Sequence, residues 1–181
     1  MPSVSERAPP AGPQRDRLIA GFAALAIAIH ILEAALPSPL PGVKPGLANV
    51  ITVVVLLRWG WGVAAWVAGL RVLAGSLLVG TFLSPTFILS ASGAAAALVA
   101  LWLAQRLGGR WLGAAGYSVC AALAHMGTQV LVAWQLFIPH PAILKLAPFL
   151  LTAALVFGIV SGVIAAVVVD KLEAGPEAAR A

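Results

Sequence analysis

Six polar side chains stand out because they lie within or beside long apolar runs and can form hydrogen bonds or ion pairs with a solute. They are Glu33, Lys44, Asn49, Arg71, His125 and Gln129. A charge inside hydrocarbon costs at least about 2.5–3.5 kcal/mol, so such residues normally face a bundle interior or a wet cavity. We therefore interpret them as candidates for a pocket that binds a polar solute.

The composition indicates a membrane protein. The 181 residues are 61% hydrophobic and 9% charged, and the mean hydropathy is +1.02. An ordinary soluble domain is about 45–50% apolar and about 25% charged. The net charge of +5 does not indicate nucleic-acid binding, because the basic residues are scattered between apolar runs. Cys120 is the single cysteine, so no internal disulfide can form.

The apolar runs predict one all-α domain of six transmembrane helices. The predicted spans are 18–36, 46–57, 63–80, 86–104, 111–137 and 148–169. The second is shorter than the roughly 20 residues that a straight span needs, so it is either a short span or a re-entrant segment. Residues 1–17 are interpreted as a disordered cytoplasmic tail and residues 170–181 as a cytoplasmic C-terminal tail. Residues 138–147 contain two prolines and are expected to form a loop.

The basic residues predict the orientation. Eight of the eleven fall on one side of the predicted bundle, namely Arg7, Arg15, Arg17, Arg58, Arg106, Arg110, Lys171 and Arg180. Lys44 and Lys145 fall on the other side, and Arg71 lies within a span. The positive-inside rule then places both termini in the cytoplasm. We expect the protein to lie in the plasma membrane.

The break between the first two spans lies on the predicted outer side. Residues 36–49 include four prolines and two glycines, which forbid a continuing helix, together with Lys44 and Asn49. Glu33, Arg71, His125 and Gln129 are expected at mid-depth or in the outer half of their spans. The candidate residues would thus share an outward-open pocket.

Helical spacing separates two faces of the first span. Ala20, Ala24 and Ala28 recur every four residues and form a small-residue ridge. At about 100° per residue, Glu33 falls on roughly the opposite face. On the fifth span, Tyr117, Ala121, His125 and Gln129 repeat this spacing. Gly158 and Gly162 on the last span form a further close-packing pair.

Each candidate has a structural alternative. Glu33 and Arg71 could form an ion pair with no role in binding, and His125 with Gln129 could make only an interhelical hydrogen bond. Lys44 could be an ordinary loop lysine. The spacing of His30 and Glu33 suits metal ligation, but no second cluster completes a coordination shell, so no metal site is expected.

Enzymatic chemistry is not expected. The carboxylates are widely separated and form no acidic cluster for Mg²⁺. They are Glu6, Asp16, Glu33, Asp170, Glu173 and Glu177. The Gly-x-x-x-x-Gly-Lys phosphate loop is missing, so any nucleotide-driven role needs partner subunits. We predict no catalytic residue and no cofactor.

Several motifs together resemble the Gx transporter family, which is also labelled heptaprenyl diphosphate synthase component I. They are Glu33 with Pro37, Pro41-Gly42-Val43-Lys44-Pro45-Gly46-Leu47-Ala48-Asn49, Arg71-Val72-Leu73-Ala74-Gly75-Ser76, Ser90-Ala91-Ser92-Gly93 and Ala124-His125-Met126-Gly127-Thr128-Gln129. The chain departs from the family pattern at Pro45 and at Met126-Gly127.

The first label implies a likeness to the six-helix substrate-binding subunits of energy-coupling-factor transporters. Ala20, Ala24 and Ala28 would then dock on a transmembrane coupling subunit that works with an ATPase pair, and the six polar residues would bind substrate. The second label implies a non-catalytic membrane partner of a soluble prenyltransferase in polyprenyl chain synthesis.

We expect a membrane-embedded subunit that captures a small anionic or zwitterionic metabolite. Lys44 and Arg71 motivate this preference for a negative group. Related nickel and cobalt subunits carry a histidine near the extreme N-terminus, whereas Met1-Pro2-Ser3-Val4 contains none, which argues against a metal-ion substrate.

Overall fold

The computed structural model describes residues 12–35, 47–108 and 111–174, and all regular secondary structure within these ranges is helical. The six α-helices are α1 Pro13–Ala35, α2 Leu47–Trp59, α3 Trp61–Val79, α4 Pro85–Gly108, α5 Ala114–Val132 and α6 Ala142–Ala174. A π-helical turn, Ala133–Phe137, continues α5. The predicted all-α fold of six helices is confirmed.

Four of the described helical segments are long and apolar enough to cross a membrane. They are α3, α4, α5 with its π-helical turn, and α6. The described apolar part of α2 is shorter, as the sequence predicts. These lengths and compositions indicate a membrane protein.

The short helix α2 occupies the centre of the bundle. Residues 50–56 are all buried, and the helix contacts α1, α3, α5 and α6. Six of these seven side chains are aliphatic, and a helix that is apolar on every side is stable only when neighbours cover every side. The central position of α2 follows from this composition.

The remaining helices pack as two groups around α2. On one side α1 and α3 contact each other and α2, and on the other side α5 packs between α4 and α6. We call α1–α3 the first half and α4–α6 the second half; α3 and α4 also contact each other.

Glycines allow the helices of the second half to approach each other closely. A Cβ atom on Gly158 would lie 3.1 Å from Cβ of Ala122, and one on Gly162 would overlap with Ala115. The predicted close-packing pair is confirmed.

Several helix bounds differ from the sequence prediction. The first helix starts at Pro13 rather than residue 18, because proline suits the first turn of a helix, where its missing N–H has no intrahelical partner. The predicted turn at residues 58–62 shrinks to Gly60, whose φ of 83° interrupts two nearly continuous helices. The fourth and sixth helices run past residues 104 and 169 to Gly108 and Ala174.

The predicted loop at residues 138–147 is wrong for its second half, because α6 begins at Ala142. Nδ1 of His140 accepts a hydrogen bond from the Ala142 N–H at 3.1 Å and thereby caps the first turn. Pro148 lies inside the helix. The hydroxyl of Thr152 donates to the Pro148 carbonyl at 2.8 Å. A proline within a membrane helix is therefore not a reliable boundary.

Candidate functional site

A cavity of about 450 Å³ opens between the two halves. It lies towards the end of the bundle where α1, α3 and α5 finish and α2, α4 and α6 begin, and all six helices contribute to its lining. Ligand cavities commonly measure about 300–1,000 Å³. The space therefore suits a small organic molecule.

The cavity brings together five of the six polar residues that the sequence singles out. The lining includes Glu33, Asn49, Arg71, His125 and Gln129. They come from α1, α2, α3 and α5, so only the tertiary packing joins them. Lys44 lies outside the described residues, as does the rest of the break from residue 36 to residue 46.

Arg71 is the buried cation of the site. The side chains of Arg71 and Glu33 belong to residues that are 8% and 6% exposed. Nη1 of Arg71 donates to Oδ1 of Asn49 at 3.3 Å, and the carboxylate of Glu33 is near enough to interact electrostatically with the guanidinium. Within the described part of the chain, Nε of Arg71 has no hydrogen-bond acceptor. Nε itself is fully buried, so a ligand would meet other atoms of this side chain, which lines the cavity.

His125 and Gln129 are held against α4. Nε2 of Gln129 donates to the Leu89 carbonyl at 3.3 Å, so its interhelical hydrogen bond joins α5 to α4. The imidazole of His125 lies against Gly93, where a Cβ atom would be 2.9 Å from Nε2. Nδ1 of His125 is buried and has no hydrogen-bond partner among the described residues.

Other lining residues escaped the sequence prediction. Ser118 on α5 and Ser161 on α6 are buried and polar, and Phe157 adds an aromatic side chain. The stripe that faces the cavity on α5 runs through Ser118 and Ala122 to His125 and Gln129, whereas Tyr117 and Ala121 belong to the core. Ser118 precedes His125 by two helical turns, so helical spacing would have placed it on the same face.

His30 also lines the cavity. Its ring packs on α3 beside Gly75, where a Cβ atom would lie 3.1 Å from Cδ2. No group of three or more potential metal ligands occurs among the described His, Cys, Asp and Glu side chains. His30 thus forms part of the cavity wall where α1 packs on α3.

A second, small void of about 10 Å³ adjoins the cavity and shares Asn49 and Arg71 with it. Thr52 lines this void, and its buried hydroxyl oxygen has no hydrogen-bond partner among the described residues. The volume is near the minimum that holds one water molecule, about 10–15 Å³.

The alanine ridge lies on the outside of the first half. Ala20, Ala24 and Ala28 are exposed, whereas Glu33 is buried on the opposite face of α1. The predicted separation of the two faces is therefore correct in the folded chain. Docking of a partner on this ridge stays a prediction.

The fold and the cavity define a class: an all-helical membrane protein with a solute-sized, polar-lined cavity between two groups of three helices. Residues 22–168 match the family described as heptaprenyl diphosphate synthase component I, and the chain belongs to this family. No curated protein matches the chain. No solved structure matches it either.

Proposed function

We propose that this protein is a membrane-embedded binding subunit that captures a small anionic or zwitterionic metabolite for uptake. The observation that carries the proposal is the cavity of about 450 Å³, in which a buried guanidinium, a buried carboxylate and several neutral polar side chains meet. A cavity of this size with a few convergent polar groups is typical of small-molecule sites.

The state of Arg71 supports a negative group in the ligand. A buried charge is normally paired and fully hydrogen-bonded. Arg71 has a hydrogen bond to Asn49 and the nearby charge of Glu33, yet its Nε has no acceptor among the described residues. Nε is fully buried, but Arg71 lines the cavity, where a carboxylate or phosphate of a ligand would suit its guanidinium.

Uptake requires that the cavity face outwards. The described residues at the opposite end of the bundle include Arg15, Arg58, Arg106 and Lys171, whereas Lys145 is near the cavity end. Under the positive-inside rule, this asymmetry supports cytoplasmic termini and an outward cavity. The exposed alanine ridge of α1 would then dock on a transmembrane coupling subunit, which with an ATPase pair would supply the energy.

The family description favours a second candidate function, a non-catalytic membrane partner in polyprenyl diphosphate synthesis. Glu33 is the one carboxylate in the described lining of the cavity. A single carboxylate does not hold the Mg²⁺ ions that prenyl transfer needs. Under this second proposal, a soluble prenyltransferase would supply the catalytic site.

The proposed binding function is tested by mass spectrometry of small molecules that co-purify with the protein. We expect the wild type to carry an anionic or zwitterionic compound and Arg71→Gln to lose most of it. Arg106→Gln is the matched control, because Arg106 is exposed and lies over Trp102 at 4.8 Å, away from the cavity. Equal ligand content in all three proteins would contradict the proposal.

Two further measurements separate the candidate functions. Co-purification with an ATPase pair and a coupling subunit supports uptake, whereas a soluble prenyltransferase supports the second candidate. Orientation is tested in a Cys120→Ser background, with Lys145→Cys and Arg106→Cys labelled by a membrane-impermeant thiol reagent on intact cells. Labelling at position 106 but not at position 145 would overturn the outward cavity.

A further inference from the structure

We propose, on the basis of the binding function above, that the ligand is an amphipathic anion. Its negative group would contact Arg71, and an apolar body would lie against α5 and α6. An inorganic anion and a uniformly polar molecule such as a sugar are both excluded by this proposal. The uneven distribution of side chains around the cavity carries it.

Both charged side chains in the described lining come from the first half of the protein. Arg71 lies on α3 and Glu33 on α1, and Asn49 of α2 contacts Arg71. The first half thus provides a charged wall. Because Arg71 lines the cavity, this wall presents a positive group to an anion.

The α6 side of the cavity is mainly apolar, and α5 adds apolar side chains beside its polar ones. From α6, the lining contains Phe157 together with Ala153, Ala154 and Gly158. Met126 and Ala122 of α5 also line the cavity. A wholly polar ligand would gain nothing from these side chains, whereas an apolar body would remove their surface and its own from water.

The size of the cavity supports the same conclusion. A phosphate or acetate ion at Arg71 would leave most of the 450 Å³ unfilled. A ligand with an apolar body can contact the charged wall and the apolar wall together. Such a ligand binds both halves, so it would stabilise their association.

The experiment measures thermal unfolding of the purified full-length chain in detergent with three matched probes. Benzoate carries a carboxylate and an apolar ring, acetate lacks the ring, and benzamide lacks the charge. We expect benzoate to raise the unfolding temperature at concentrations at least about tenfold lower than acetate or benzamide, a ratio that loss of either contact would produce. Equal shifts with benzoate and acetate would overturn the proposal, as would no shift with any probe.

Variants assign each part of the probe to its wall. Phe157→Ala should abolish the advantage of benzoate over acetate, and Arg71→Gln the advantage of benzoate over benzamide. Phe149→Ala is the control, since Phe149 lies on the same helix, is 51% exposed and does not line the cavity. If Phe157→Ala does not fold, Met126→Gln tests the same wall from α5. Unchanged preferences in the wall variants would contradict the assignment.

The failure of this inference is distinguishable from the failure of the proposed function. Equal shifts with acetate and benzoate that both disappear in Arg71→Gln would leave an anion-binding protein without an apolar subsite. A co-purified compound that is lost in Arg71→Gln but has no apolar part would have the same meaning. No dependence on Arg71 in either experiment would overturn both.

Discussion

Gly93 of α4 and His125 of α5 touch so closely that no side chain fits between them. A Cβ atom on Gly93 would be 2.9 Å from both Nε2 and Cε1 of the imidazole and 3.0 Å from Cγ of Gln129. These distances are shorter than ordinary van der Waals contact. The glycine therefore sets the positions of two side chains that line the cavity.

Gly93→Ala should weaken ligand binding more than it weakens folding. The added methyl group would meet side-chain atoms rather than backbone, so we expect a loss of about 1 kcal/mol in the free energy of unfolding. His125 and Gln129 would move from their cavity positions, and at least half of the co-purified ligand should be lost. Thermal unfolding and mass spectrometry measure the two effects. Full ligand retention would contradict this role of Gly93.

Gly162→Ala should destabilise the protein strongly. Its Cβ atom would overlap with the backbone of Ala115 on α5 and lie 3.0 Å from Cβ of Ser118. Because helix backbones cannot yield locally, we expect a loss of about 3 kcal/mol in unfolding free energy. Denaturant titration of the detergent-solubilised protein measures this loss.

Gly69→Ala is the matched control for Gly162→Ala. Gly69 is also within a helix, but among the described residues no atom beyond its own stretch of helix lies within 4 Å of the position that its Cβ would take. Alanine has the higher helix propensity, so the substitution should leave stability unchanged or raise it by up to about 1 kcal/mol. Equal stability of the two variants would show that close packing of α5 and α6 is not limiting.

Asn49→Asp should separate stability from binding. Nη1 of Arg71 donates to Oδ1 of Asn49 at 3.3 Å, and a carboxylate in this place would accept a charge-assisted hydrogen bond. The folded protein should therefore remain about as stable as the wild type. An added negative charge beside Arg71 should nevertheless reduce binding of an anionic ligand about tenfold or more.

The stability of Asn49→Asp is followed by thermal unfolding, and its binding by the amount of co-purified compound. Asn49→Ala is the comparison, because it removes the acceptor without adding a charge and should cost about 1–3 kcal/mol of stability. An Asn49→Asp protein that keeps full ligand content would contradict an anionic ligand at Arg71.

The ion pair between Arg58 and Glu173 should contribute little to stability. Nη1 of Arg58 lies 2.8 Å from Oε1 of Glu173 and joins the ends of α2 and α6, but the Glu173 side chain is 42% exposed. Solvent screens such a pair, so Glu173→Gln should cost at most about 1 kcal/mol. The unfolding free energy should also fall only slightly when salt is raised. A loss of several kcal/mol would contradict this.

The sequence predicted the fold through composition and the spacing of breaks. It indicated a membrane protein with six helices, a short second helix and a close-packing glycine pair on the last helix. Its errors occur where a local rule was overridden. Pro148 did not start a helix, because α6 had already begun at Ala142 with His140 as a cap. The single residue Gly60 was enough to separate two helices.

The sequence also selected most of the polar residues of the site, because polar side chains within long apolar runs are rare and visible. It could not predict the central place of α2, since hydropathy records that a helix avoids water and not which neighbours cover it. Nor could it predict the contacts of His30 with Gly75 and of His125 with Gly93, which join different helices.

The sequence by itself determined that this protein belongs in a membrane, that its fold is helical, and which few side chains can bind a charged solute. These properties depend on hydropathy and on local helix geometry. The tertiary structure alone decided that Arg71 meets Asn49, that Glu33 shares their cavity, and that Phe157 lies in the same lining. The reason is physical, because such contacts depend on how separate helices pack around α2, and no periodicity along the chain specifies this.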